Sequence, residues 1–145
     1  MKTIISTNEK DTLKLGYDLA TNLKGGSIVL LDGSVGAGKS VIARGIARGL
    51  GINGDVCSPT FTLANTYNLI NGLVLCHIDA YRIKNEDEAL EAGLGDFIGS
   101  CDTITLIEWH KNIKRLVTHY DCVFINIQVM DSNMREIIIR NITKE

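Results

Sequence analysis

"GSVGAGKS", residues 33–40, follows the apolar run "SIVLLD" (residues 27–32) and runs straight into "VIARGIARGLG" (residues 41–51). Gly33, Gly38, Lys39 and Ser40 satisfy the Gly-x-x-x-x-Gly-Lys-Ser spacing of a phosphate-binding loop. A glycine-rich turn with no ligand would need the same flexibility, but it would need neither the lysine nor the hydroxyl. Glycines let backbone N–H groups curl around phosphate oxygens, and the following helix adds the positive end of its dipole. Lys39 is then expected to reach the β- and γ-phosphates and Ser40 to ligate magnesium, while Gly36 frees the loop further. A short continuous apolar run before the loop reads as a buried central strand. The loop therefore implies an α/β fold of the P-loop NTPase type.

The rest of the chain agrees with that class. At 145 residues and 15.9 kDa it is read as one domain, residues 1–145, long enough to bury a core without disulfide or metal staples. A formal net charge of −2 gives no overall basic character to suggest that the chain holds nucleic acid by itself. Cys57, Cys76, Cys101 and Cys122 lie too far apart for Cys-x-x-Cys metal spacing, and three of the four stand in apolar surroundings as buried thiols of a reducing compartment. The segment "MKTIISTNEK" carries no apolar region suited to a signal peptide, and no run approaches ~18 apolar residues, so the expectation is a cytoplasmic chain without membrane contact.

Ser6 and Glu9 stand in capping-box spacing ahead of Leu13, Tyr17, Ala20 and Leu23, which predicts a helix stopped by Gly25-Gly26. A second helix is expected from about Gly38 to Gly49 and Gly51. Asn71-Gly72 marks a hairpin of the type I′ kind. Asn85 and the acids after it predict a short helix. "TITLIEW" reads as another buried strand, and a last hairpin turns at Asp131-Ser132-Asn133. The sum is a mixed sheet of about seven strands flanked by three or four helices.

A phosphate-binding loop works with an acid at the end of a buried strand. Asp79 ends "LVLCHIDAY" and Glu108 ends "ITLIEWH", and the pattern alone does not rank them. Ser58, Thr60 and Thr62 lie where GTPase-like proteins keep a segment that senses the γ-phosphate. No Asn-Lys-x-Asp stretch is present to read guanine, which favours ATP.

Together, "LLDGSVGAGKSVIARGIARGLG", "SPTFTL", "HIDAYRI", "EAGLGDFI" and "LIEWH" stand in the order and spacing of the TsaE (YjeE-like) family, and the chain resembles it over about residues 5–140. Those are P-loop ATPases of tRNA threonylcarbamoyladenosine modification. The resemblance implies a nucleotide loop at Val35, Gly36, Ala37, Gly38, Lys39 and Ser40, with Ser40 and Glu108 on magnesium. It matches Asp79 to the acid of the His-x-Asp-x-Tyr-Arg motif and puts Thr60 and Thr62 in a switch-like segment. Glu9 and Arg135 fall on its adenine-side contacts. Trp109 reads equally as a core aromatic or a site residue, and His77 as a packed strand residue rather than a base. Ser40 replaces threonine, Ala80 replaces leucine, and His110 replaces the proline that usually follows the tryptophan, which bears on the backbone path after Glu108.

The implied activity is slow magnesium-dependent ATP hydrolysis with Lys39, Asp79, Glu108 and Thr60 as the working residues, Asp79 or Thr60 placing the water. ATP would act as a switch on a TsaD-like catalytic subunit and its TsaB-like paralogue, with tRNA reached only through that complex. Two rivals stand beside this reading: a small-molecule kinase, which would need an arginine-bearing lid, and a nucleotide-gated binding module in which turnover is incidental.

Overall fold

The computed structural model describes residues 1–34, 36–54, 56, 59 and 63–145. Seven strands form one sheet: β1 (Lys2–Ser6), β2 (Ile28–Gly33), β3 (Ala64–Asn68), β4 (Val74–Asp79), β5 (Thr103–Glu108), β6 (Cys122–Val129) and β7 (Arg135–Ile142). Their order across the sheet is β1-β7-β6-β2-β5-β4-β3. The middle four, β6, β2, β5 and β4, are parallel, and β1, β7 and β3 pair antiparallel at the two sides. All six residues of β5 and the first four of β2 are buried, as expected of strands covered on both faces.

Helices α1 (Glu9–Ala20) and α2 (Lys39–Gly49) cover one face, where Val29, Leu31, Ile42, Ile46, Leu106 and Ile125 form a core. The other face packs Ile28, Leu30, Ile78, Ile107 and Ile113 beneath α3 (Glu86–Glu91), α4 (Lys114–Val117) and the 3-10 turns at Leu94–Asp96 and His110–Ile113. Parallel register sets Leu31 beside Glu108 and Asp79 beside Glu108, so β2, β5 and β4 end together. A crevice at the carboxyl ends of parallel strands is where such sheets bind ligands.

The mixed sheet of about seven strands and its flanking helices agree with the sequence, and three local readings change. Ser6 closes β1 instead of capping α1, and its hydroxyl sits 2.6 Å from that of Thr12. Asn8 is the cap, its side chain accepting from Asp11 N at 2.8 Å. β1 itself, with Ile4 and Ile5 in an otherwise polar segment, had no separate signal. α1 ends at Ala20, five residues before Gly25: the Thr21 hydroxyl donates to Asp18 O at 2.7 Å, and the next amides step to a tighter turn. Tyr17 is half exposed rather than in the core, whereas Leu23 still packs against it.

The other punctuation holds. α2 closes with Ile52 N on Ala47 O and Gly51 N on Arg48 O, a Schellman motif made possible by Gly51 at φ +96°. Asn71 and Gly72 both take positive φ in the β3–β4 hairpin. Asn85 caps α3 by accepting from Glu88 N. Of the cysteines, Cys76 and Cys122 are buried, Cys101 is exposed, and Cys57 lies outside the described residues.

Candidate functional site

A cleft of about 610 Å³ opens at the carboxyl ends of β2, β4 and β5, at the N-terminus of α2. Gly36, Ala37, Gly38, Lys39 and Ser40 form one wall. Gly36 (φ +82°) and Gly38 (φ +113°) are left-handed, a conformation that would strain any other residue, and Gly38 directly precedes the first turn of α2. Val35 lies outside the described residues.

The acidic wall is built by β4 and β5. Glu108 is only 6% exposed, and it faces the loop: its Oε1 lies 3.7 Å from Lys39 Nζ. Its Oε2 lies 2.9 Å from His77 Nε2, and His77 is 1% exposed. Asp79, the register partner of Glu108, is less buried; its Oδ1 accepts from Tyr81 N and it too lines the cleft. A buried acid between a lysine and a histidine is a high-stakes arrangement, since burying a carboxylate without partners is costly.

Trp109 is not a core aromatic. It takes φ +60° and ψ +40°, one of two non-glycine residues with positive φ among the described residues, immediately after Glu108. Its ring tilts against Tyr81 with centroids 4.8 Å apart, and Lys39 Nζ stands 5.2 Å from its centroid. Strain of this sort persists where the surroundings hold it and clusters at functional sites. The path after Glu108 is held by Ala80 N on Glu108 O and by Asn112 Nδ2 on Ala80 O. His110, standing in place of the proline usual in the resembled family, starts the next 3-10 turn and packs edge-on to Phe124; burial lowers its pKa, with Asp32 acting the other way.

The third wall comes from the chain's two ends. Glu9 lines the cleft from α1 and pairs with Arg44 of α2 at 3.0 Å. Arg135 reaches from β7, donating through Nε to Ala37 O at 2.9 Å and through its terminal nitrogen to Asp131 O and Met134 O. Arg135 thus ties the last hairpin to the loop. Asn8, Thr12, Tyr81, Ser132 and Asn133 join the lining, and sequence reasoning had not assigned them to the site. Ser132 and Asn133 carried a signal as the predicted turn, but nothing in the sequence aimed that turn at the loop. Thr60, with Ser58 and Thr62, lies outside the described residues.

Among the described residues no group of three or more His, Cys, Asp or Glu side chains could cage a metal. The oxygen donors that line the cleft include Ser40, Glu108 and Asp79. That set suits magnesium, which keeps several waters and is usually held by one or two carboxylates together with substrate phosphates.

A strand, a left-handed glycine loop and a helix N-terminus, with the loop lysine facing a buried strand-end acid, define a P-loop nucleotide-binding protein. The family model described as "Threonylcarbamoyl adenosine biosynthesis protein TsaE" matches residues 6–137, and the chain belongs to the TsaE family. It is 39% identical over 133 residues to a Rickettsia felis protein, covering 91% of this chain and 75% of that one. To an Aquifex aeolicus protein it is 34% identical over 140 residues, covering 94% of each. Both relatives are named tRNA threonylcarbamoyladenosine biosynthesis protein TsaE. The crystal structure of Bacillus subtilus YdiB shares the fold at a TM-score of 0.73 and 28% identity, over 97% of this chain and 84% of that one. Among the described residues no helix is long and apolar enough to cross a membrane.

Proposed function

We propose that this chain, acting as one domain in the cytoplasm, binds and slowly hydrolyses ATP with magnesium as a switch within the tRNA threonylcarbamoyladenosine machinery, on a TsaB–TsaD pair. The observation that carries it is the convergence of Lys39 with buried Glu108 across the glycine loop, 3.7 Å apart. Backbone N–H groups of Gly36 to Ser40 cradle the phosphates. Lys39 gives up Glu108 and turns to the β- and γ-oxygens, where it neutralises charge that develops in the transition state. Ser40 and Glu108 hold the metal, and Asp79 or Thr60 orients the attacking water. Magnesium, when bound, would supply further neutralisation of the charge on the phosphate oxygens. Glu9 lies across the cleft on the adenine side. Arg135 is fixed to Ala37 O and serves that side as a support of the loop.

The kinase rival loses ground. Its candidate lid, residues 82–97, packs Ile83, Ala89 and Leu94 into the face of the sheet away from α1 and α2.

The test is calorimetric ATP titration together with phosphate release. Lys39→Ala is expected to lose several-fold or more in ATP affinity, and Glu108→Ala to abolish magnesium-dependent hydrolysis while some binding survives. The isolated chain should turn over below about one per second, under the usual range of enzymes. Adding a TsaB–TsaD pair should raise that rate. Equal ATP affinity for Lys39→Ala and parent would overturn the site; bound partners that leave the rate unchanged would favour the binding-module reading.

A further inference from the structure

His77 does not line the cleft, yet it reaches Glu108 from behind. It sits in β4 two residues before Asp79, on the same side of the strand, and is 1% exposed. A carboxylate only accepts hydrogen bonds, so the hydrogen of this contact is on Nε2 and Glu108 Oε2 accepts at 2.9 Å. The other ring nitrogen, Nδ1, is buried with no hydrogen-bond partner among the described residues. Leaving a buried polar atom unpartnered carries the full cost of its desolvation. An apolar residue in the middle of this strand, where Leu75 and Ile78 are fully buried, would avoid that cost. The placement of a histidine here is therefore explained by its Nε2 contact and not by packing.

We propose that His77 is a positioning residue for Glu108. It holds Oε2 so that Oε1 is the oxygen presented to the loop. Lys39 is the exchangeable partner of that carboxylate, because its ammonium is the group a phosphate would draw away. His77, shut off from the cleft, keeps its contact in both states. Without it Oε2 loses this contact, and once Lys39 leaves the metal would meet a carboxylate less firmly oriented. Partners standing behind metal ligands in this way are worth about 10–100-fold in metal affinity or activity. The inference rests on the metal role proposed for Glu108.

Calorimetry separates the two. ATP affinity is measured with magnesium and with chelator for the parent and for His77→Leu, His77→Gln and His77→Asn. Glutamine can place an amide nitrogen where Nε2 stands; asparagine can place one only near Nδ1. The expected result is that magnesium strengthens ATP binding by the parent, and that His77→Leu and His77→Asn lose about tenfold of that gain. His77→Gln should recover it to within a few-fold. Affinity in chelator should stay within about twofold throughout, and His77→Leu should cost nothing further in a Glu108→Ala background. Should the leucine variant fail to fold, the glutamine and asparagine pair decides, since both keep a polar group. Equal magnesium gains for those two variants, or for leucine and parent, would overturn the role of His77 alone. A parent whose ATP affinity ignores magnesium would overturn the metal site and this inference together.

Discussion

On the face that carries the cleft, helices of twelve and eleven residues meet backbone to backbone, whereas the opposite face is covered by helices of six and four residues and by 3-10 turns. A Cβ on Gly45 would stand 2.3 Å from Leu13 O, and one on Gly16 2.5 Å from Ile42 O. α1 and α2 can approach this closely because Gly16, Gly45 and Gly49 present no side chains at the crossing. On the opposite face the described helices contain no glycine and do not cross in this way, and a cavity of about 480 Å³ remains there, lined in part by Leu30, Val117, Cys122 and Ile142. The difference teaches where this fold concentrates its precision. The N-terminus of α2 must stand at a fixed height over the strand ends, and the glycine crossing sets that height. The far face only has to keep water from the sheet.

If that contrast holds, substitutions of similar size should differ sharply between the faces. Gly45→Val is expected to cost about 4 kcal/mol or more, because the new side chain meets a backbone carbonyl that cannot yield without parting the helices. It should also weaken ATP binding, since the loop moves with α2. Urea midpoints and ATP titration of the variant check this, and a loss under 1 kcal/mol would remove the close crossing as a determinant.

On the far face, Leu94→Ala removes a buried side chain from a 3-10 turn between Gly93 and Phe97. Expected is a loss of about 2–3 kcal/mol, at the lower end for such truncations because short turns can settle into the space. ATP affinity of the folded variant should match the parent. A change beyond about twofold would show the faces to be coupled.

The smallest effect is the sharpest for chemistry. Burial pushes the Cys76 thiol up to about 12, and burial together with Asp121 pushes Cys122 up to about 11. Unfolded thiols ionise near 8.5, so the folded chain keeps protons that the unfolded chain releases. Stability present in full below that pH is then lost as pH rises toward 11–12. Between pH 8 and 10 the parent should lose roughly 2 kcal/mol more than Cys76→Ala does, read from urea midpoints. Parallel losses would mean that the thiol is solvated after all.

The elements with the strongest periodicity or punctuation were legible in the sequence: the buried strands, α2 with its glycine stop, and the turns at Asn71-Gly72 and Asp131–Asn133. The loop and its two acids were legible because their chemistry demands fixed residue types at fixed spacing. β1 was not, since an edge strand of five residues with one buried position has no alternation to detect. The end of α1 was missed because Leu23 keeps the helical spacing while the chain has already turned. Within the site, the approach of Arg135 to Ala37 and of His77 to Glu108 joins residues 98 and 31 positions apart, which only the sheet order brings together.

Trp109 is the sole tryptophan of the chain, and it stands at the cleft between Tyr81 and the Lys39 ammonium. The protein's indole emission therefore arises from one place, and that place is the loop lysine's resting position. On the proposed mechanism Lys39 turns from the ring to a phosphate, and the electric field across the indole would then change while no other tryptophan contributes to the signal. The fold has in effect placed an optical gauge beside the loop lysine, so that the timing of ligand capture can be followed in the unlabelled protein.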